Sequence, residues 1–95
     1  MIYTIKEIQN KVKQIAEQYD ILKIWLFGSY FKGTATESSD VDLLVKYGTD
    51  CDGLHRIEFM LDLESKLQKD VDVINIDFTP EFITAKGELI YEQGK

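Results

Sequence analysis

At 95 residues, with 44% hydrophobic and 29% charged side chains, the chain is expected to fold as one soluble α/β domain over residues 1–95, long enough to bury a core. Seventeen acids against 11 bases leave a formal charge of −6 and a pI near 4.6, which excludes the basic footprint of a direct nucleic-acid binder. A single cysteine, Cys51, excludes an internal disulfide, and no apolar run approaches a membrane helix or a signal core, so a cytoplasmic protein without a membrane partner is expected.

Thr4 and Glu7 have the spacing of a capping box, with Tyr3 and Ile8 placed as a hydrophobic staple. Ile5, Ile8, Val12, Ile15, Ala16 and Tyr19 share one helical face, so a first helix is predicted to run to about Tyr19. "ILKIWLFG" reads as a strand buried on both faces and ending at Gly28. The stretch from Gly28 to Asp40 has room for a turn plus one short helix, or for a hairpin-like return, but not for a full crossover helix.

"DVDLLVKY" is the second predicted strand, closed by the polar loop "GTDCDG". Leu54, Ile57, Leu61, Glu64 and Leu67 keep helical spacing and predict a helix over 54–69, with Phe59 and Met60 also packing from it. "DVDVINI" is a third strand, Pro80 suits the first turn of a short helix, and "ELIYE" reads as a last short strand. Strands separated by helices predict an α/β sandwich, a mixed sheet with helices packed on it.

The chemistry concentrates around the second strand. Asp40 and Asp42 are two apart and therefore point to one face. Two carboxylates about 4 Å apart repel by about 4 kcal/mol at an effective dielectric near 20. A fold accommodates that where a cation binds, a proton is shared or water screens both. Oxygen-only ligands favour a hard cation, Mg²⁺ or Mn²⁺.

Upstream, Gly28 lets backbone N–H groups approach a phosphate, and the Ser29 hydroxyl adds a donor. A phosphate cradle and metal-binding acids on adjacent strands are what metal-assisted phosphoryl or nucleotidyl transfer needs. In "KDVDVINI", Asp70 and Asp72 share a face. Asp72 falls within an apolar strand, where a lone carboxylate is costly, so it is the better third acid, placed to ligate one metal and to deprotonate an attacking hydroxyl.

Plainer readings stand beside these. Ser39-Asp40 could cap a turn at a solvated strand entrance, and Asp72 could be an exposed position on an edge strand. Gly28 and Gly33 are not a Walker A loop, because Thr34-Ala35 follows where lysine and serine or threonine are required. Asp50 to Gly53 fails the EF-hand register. Cys51 and His55 have no second cysteine or histidine for zinc, which leaves His55 as a helix surface residue. Trp25 and Phe27, in a central strand, read as core. Tyr30 and Phe31 follow the phosphate turn, where they could shelter a nucleotide.

Gly28-Ser29, then Gly33, then Ser39-Asp40-x-Asp42-Leu43 resembles the signature of the polymerase-beta-like nucleotidyltransferases, and the chain length resembles their minimal, antitoxin-type branch. The resemblance spans nearly the whole chain, since Asp72 falls where the third acid of that family would. It implies a palm-like nucleotidyltransferase fold and a two-metal transfer of a nucleoside monophosphate from a triphosphate, ATP in the favoured case, to a hydroxyl. Asp40, Asp42 and Asp72 would be catalytic and would hold Mg²⁺ or Mn²⁺. Gly28, Ser29, Lys32 and Ser39 would bind the nucleotide.

Members of this branch are often antitoxins of a HEPN-type toxin, and some transfer AMP to it. One departure is Phe31-Lys32 where the family more usually has alanine then arginine. Lysine keeps the charge but loses the bidentate geometry. With nearly all of the chain used by the palm, little remains for an acceptor pocket, so a partner protein is expected to present the hydroxyl, and an oligomer is compatible with the sequence. The alternatives are a non-catalytic antitoxin that neutralises its partner by contact, and an Asp-x-Asp glycosyltransferase, which would leave Ser29 and Gly33 unexplained.

Overall fold

The computed structural model describes residues 2–79, 83 and 86–94. The Thr4 hydroxyl accepts from the Glu7 N–H while the Glu7 carboxylate accepts from the Thr4 N–H, so the predicted capping box starts helix α1, Ile5–Ala16. Ile8, Val12 and Ala16 are buried, and Ile5, Ile15 and Tyr19 pack at the margin of the core. The helix stops at Ala16 rather than near Tyr19. The next amides tighten to three-residue bonds, Gln18 N to Ile15 O and Tyr19 N to Ala16 O. Tyr3 also makes a tie that spacing alone does not show: its hydroxyl donates to the Leu67 carbonyl at 2.7 Å.

Strand β1, Ile21–Phe27, is followed by the short helix α2, Gly28–Lys32, then β2, Val41–Tyr47, helix α3, Gly53–Leu67, β3, Val71–Asn75, a 3-10 turn at Ile76–Phe78, and β4, Glu88–Glu92. The sheet order is β3-β2-β1-β4. β1 is antiparallel to both β2 and β4, and β2 is parallel to β3. The predicted mixed sheet is therefore present. The stretch after Gly28 takes the turn-plus-short-helix form and returns as an antiparallel neighbour. The parallel step from β2 to β3 uses α3 as its crossover, as parallel pairing requires. "ELIYE" is the predicted last strand. The short helix expected at Pro80 lies outside the described residues.

α1 and α3 pack together on one face of the sheet, over Ile24, Leu26, Leu43 and Val45. The expectation that β1 is buried on both faces is corrected: Ile21, Ile24 and Leu26 are buried, whereas Trp25 and Phe27 are half-buried, because both long helices cover the same side.

Helix α3 packs from Phe59, as expected. Its core face is Phe59, Leu63 and Leu67, while Leu54, Ile57 and Leu61 point outward. Both stripes obey helical spacing, and the inner one wins because it carries the aromatic ring. Phe59 meets Tyr19 and Tyr47 edge-on, at centroid distances of 5.4 and 6.4 Å. Full burial of such a side chain contributes about 1.5–3 kcal/mol. Asp52, in the loop read as merely polar, caps α3 by accepting from the His55 N–H. His55 is on the surface, as expected.

Candidate active site

β1 runs straight into Gly28, which has φ +71°. A β-carbon at Gly28 would lie 2.1 Å from Asp42 Oδ2. Glycine is thus required twice over, by the left-handed backbone and by the approach of the carboxylate. Among the described residues no side chain caps the start of α2, whose first N–H groups stand beside Asp42. Gly33, at φ +77°, closes the helix, and its N–H and that of Thr34 both bond the Ser29 carbonyl. Ser29 is half-buried at the head of α2 and Lys32 is exposed in its last turn.

The sheet register aligns the acids. Asp42 pairs with Phe27 on β1 and with Asp72 on β3, so all three side chains share one face, the one turned away from α1 and α3. Adjacent strands stand about 4.8 Å apart, which sets the spacing of the Asp42–Asp72 pair. Asp72 is exposed on an edge strand, so it bears no burial penalty. The burial cost expected of Asp72 in an apolar strand is thus absent, and what distinguishes this residue is its alignment opposite Asp42. Asp40, just before β2, is exposed and borders an open cleft of about 660 Å³ that Ser39, Lys69 and Asp70 also line.

Burial, then the Asp72 carboxylate, then that of Asp40 push the Asp42 carboxyl above its ordinary range. Asp42 therefore senses both of the other acids. Their all-oxygen chemistry fits a hard divalent cation. Among the described residues, however, no three histidine, cysteine, aspartate or glutamate side chains are already grouped tightly enough to hold a metal. What exists is a facing pair, Asp42 and Asp72, with Asp40 beside it. The donor set fits Mg²⁺ or Mn²⁺ in kind, as two ligands with a third adjacent.

Ser39 is engaged within its own loop. Its Oγ accepts from the Thr36 N–H at 2.8 Å, which shapes the approach to Asp40. Tyr30 is buried in the core rather than exposed to a nucleotide, and among the described residues its hydroxyl has no hydrogen-bond partner.

Two features escaped the sequence reading. Trp25 pairs with Leu44 and Leu89, and Leu44 with Ile74, so an apolar row crosses the sheet beside the acid row. Period-two counting from Asp42 would have found it. Lys69 donates to the Glu37 carbonyl at 2.7 Å and stands 5.8 Å from the Tyr30 ring centre, which pins the loop before Asp40 to the start of β3. No local pattern announces that contact.

The chain matches the family described as polymerase beta nucleotidyltransferase over residues 10–95. It is 36% identical over 75 residues to the protein adenylyltransferase MntA of Thermococcus cleftensis, covering 75% of this chain and 76% of that one. In structure it resembles a toxin–antitoxin crystallised with AMP-PNP, at a TM-score of 0.73 and 26% identity, over 90% of this chain and 74% of that one. It also resembles a protein described as a minimal nucleotidyltransferase, at a TM-score of 0.74 and 25% identity, over 90% of each chain. With 86 of the 95 residues inside the match and the fold shared as well, the chain belongs to the polymerase beta nucleotidyltransferase family.

Proposed function

We propose that this chain transfers AMP from ATP to a hydroxyl group on a partner protein, and that it does so as the antitoxin of a toxin–antitoxin pair. The observation that carries the reading is the packing of Gly28 against Asp42, with Asp72 in register on the next strand. It sets an uncapped helix start beside paired carboxylates. The relative named protein adenylyltransferase and the toxin–antitoxin structure with AMP-PNP support the same assignment.

In this reading the N–H groups of Gly28 and Ser29 and the Ser29 hydroxyl hold the triphosphate, and Lys32 adds positive charge at the far end of α2. Asp42 and Asp72, with Asp40 beside them, would hold Mg²⁺. The metal supplies neutralisation of phosphate charge and polarisation of the group transferred. Asp72, exposed at the sheet edge, is open to an incoming acceptor and takes the proton of the attacking hydroxyl. That hydroxyl oxygen bonds the α-phosphorus and pyrophosphate leaves. The chain is small and its cleft at Asp40 is open and polar, which suits an acceptor presented by another protein. The lone thiol, buried and unpaired, suits a reducing cytoplasm.

The test is incubation with labelled ATP, Mg²⁺ and the co-purifying partner, followed by mass analysis for an added AMP. Asp42→Ala is expected to abolish the label and keep partner binding. Undiminished neutralisation of the partner by Asp42→Ala would instead assign the protein to contact-only inhibition.

A further inference from the structure

α3 is apolar on two opposite sides. One side, Phe59, Leu63 and Leu67, is the core. The other carries Leu54, Ile57 and Leu61, which are 66%, 55% and 53% exposed. Positions i, i+3 and i+7 form a single stripe along a helix. Isolated exposed leucines are ordinary, but a continuous apolar stripe on a helix whose inner side is already buried marks a surface built to be covered.

By helical geometry the rim of the stripe is formed by Glu58, Ser65 and Gln68, together with Glu64, which is half-buried and accepts from the Val71 N–H at 3.2 Å, and these positions of the helix include no lysine or arginine. The chain as a whole carries −6. A second copy laid on this stripe would bring Glu58 and Glu64 toward their own counterparts with no base between them. A helix with a leucine-like ridge and basic flanks would cover the stripe and pair the acids.

We propose that the outer face of α3 docks an amphipathic helix of another protein, one whose apolar ridge is flanked by lysine or arginine. The stripe lies on the helix-covered side of the sheet and the Asp42–Asp72 pair on the other. An occupant there leaves the acids open, so the docking surface stands whether or not they are catalytic.

Two synthetic helical peptides with one leucine ridge, flanked in one case by lysine and in the other by glutamate, test this by calorimetry and by NMR shift mapping on the full chain. Sedimentation of the chain alone runs in parallel. The chain is expected to sediment as a monomer. The lysine peptide is expected to bind about tenfold or more tighter than the glutamate peptide, to weaken with added salt, and to shift amides along 54–68.

The Ile57→Ser/Leu61→Ser pair is expected to weaken that binding about tenfold or more with the melting temperature kept, because both side chains are exposed. Glu58→Lys is expected to narrow the gap between the peptides. A concentration-dependent dimer that Ile57→Ser/Leu61→Ser dissolves would overturn the proposal in favour of a second copy. Equal binding of the two peptides, shifts mapping elsewhere, or no binding by either would overturn it outright.

Discussion

Replacing Asp42 by Asn should make the protein more stable while removing its proposed activity. Burial, Asp72 and Asp40 all oppose ionisation of Asp42, in that order. Facing carboxylates about 5 Å apart repel by about 1 kcal/mol in water and about 3 kcal/mol at an effective dielectric near 20. Asp72 is exposed, so screening places the effect toward the lower end, and a gain of about 1–2 kcal/mol is expected for the neutral isostere. For a domain of this size each kcal/mol shifts the melting temperature by about 4–8 °C.

The sign with pH follows from the raised carboxyl. The folded state keeps its proton to higher pH than the unfolded chain does, so the stability this provides is present below the unfolded carboxylate range and is lost as pH rises through the folded one. Above the folded carboxyl's raised range the native protein bears the full penalty and Asp42→Asn escapes it. At pH values below the ordinary carboxylate range, near about 4, both proteins are neutral at this site and the gain should vanish. Circular-dichroism melts of both proteins across this range, without divalent ions, measure it. Added Mg²⁺ should raise the melting temperature of the native protein and leave that of Asp42→Asn nearly unmoved. A variant that melts at or below the native protein at neutral pH, or a gain that persists in acid, would refute the account of three carboxylates in mutual repulsion.

Gly28→Ala should lose activity and destabilise the fold by about 2 kcal/mol or more, since the left-handed backbone alone costs about 1–2 kcal/mol and the new methyl meets Asp42; a denaturant titration beside the AMP-transfer assay reads both. Phe59→Ala should cost about 3–5 kcal/mol in the same titration and Ile57→Ser no more than about 0.5 kcal/mol, and similar losses for the two would show that α3 faces the other way. The Tyr19 hydroxyl donates to Asp62 at 2.5 Å and its pKa is pushed up to about 12, chiefly by burial and then by that bond. The stability this contributes should be intact below the ordinary tyrosine pKa of about 10 and fall as pH rises toward 12. The Tyr19→Phe protein should lack that part of the decline, as followed by melts and by ultraviolet titration.

The parts of the site that depend on short spacings were legible in the sequence. Gly28-Ser29 declares a turn and Asp40-x-Asp42 a close pair of acids within a few residues, although Asp40 falls just before β2 rather than on its face, and the capping box at Thr4 and Glu7 is local as well. Asp72 could be selected by alternation, although for a reason the structure overturns: its place opposite Asp42 comes from strand register, a long-range property. Faces were the weak point. Period alone cannot say which of two stripes on α3 meets the sheet, nor that both long helices cover the same side and leave Trp25 and Phe27 beside the acids. Tyr30, in the core, and Lys69, bonded to a carbonyl 32 residues away, are likewise decided by tertiary contact.

Asp72 lies on β3, one of the two rims of the sheet among the described residues. Rim strands offer unsatisfied backbone groups to passing chains, and negative charge on them discourages unwanted stacking into fibres. The carboxylate assigned to proton removal therefore also acts as a guard against aggregation. In the proposed function, substitution at this position removes a rim charge as well as the proton acceptor, so Asp72→Asn should be the less soluble of the two variants, whereas Asp42→Asn, on an interior strand, should remain freely soluble.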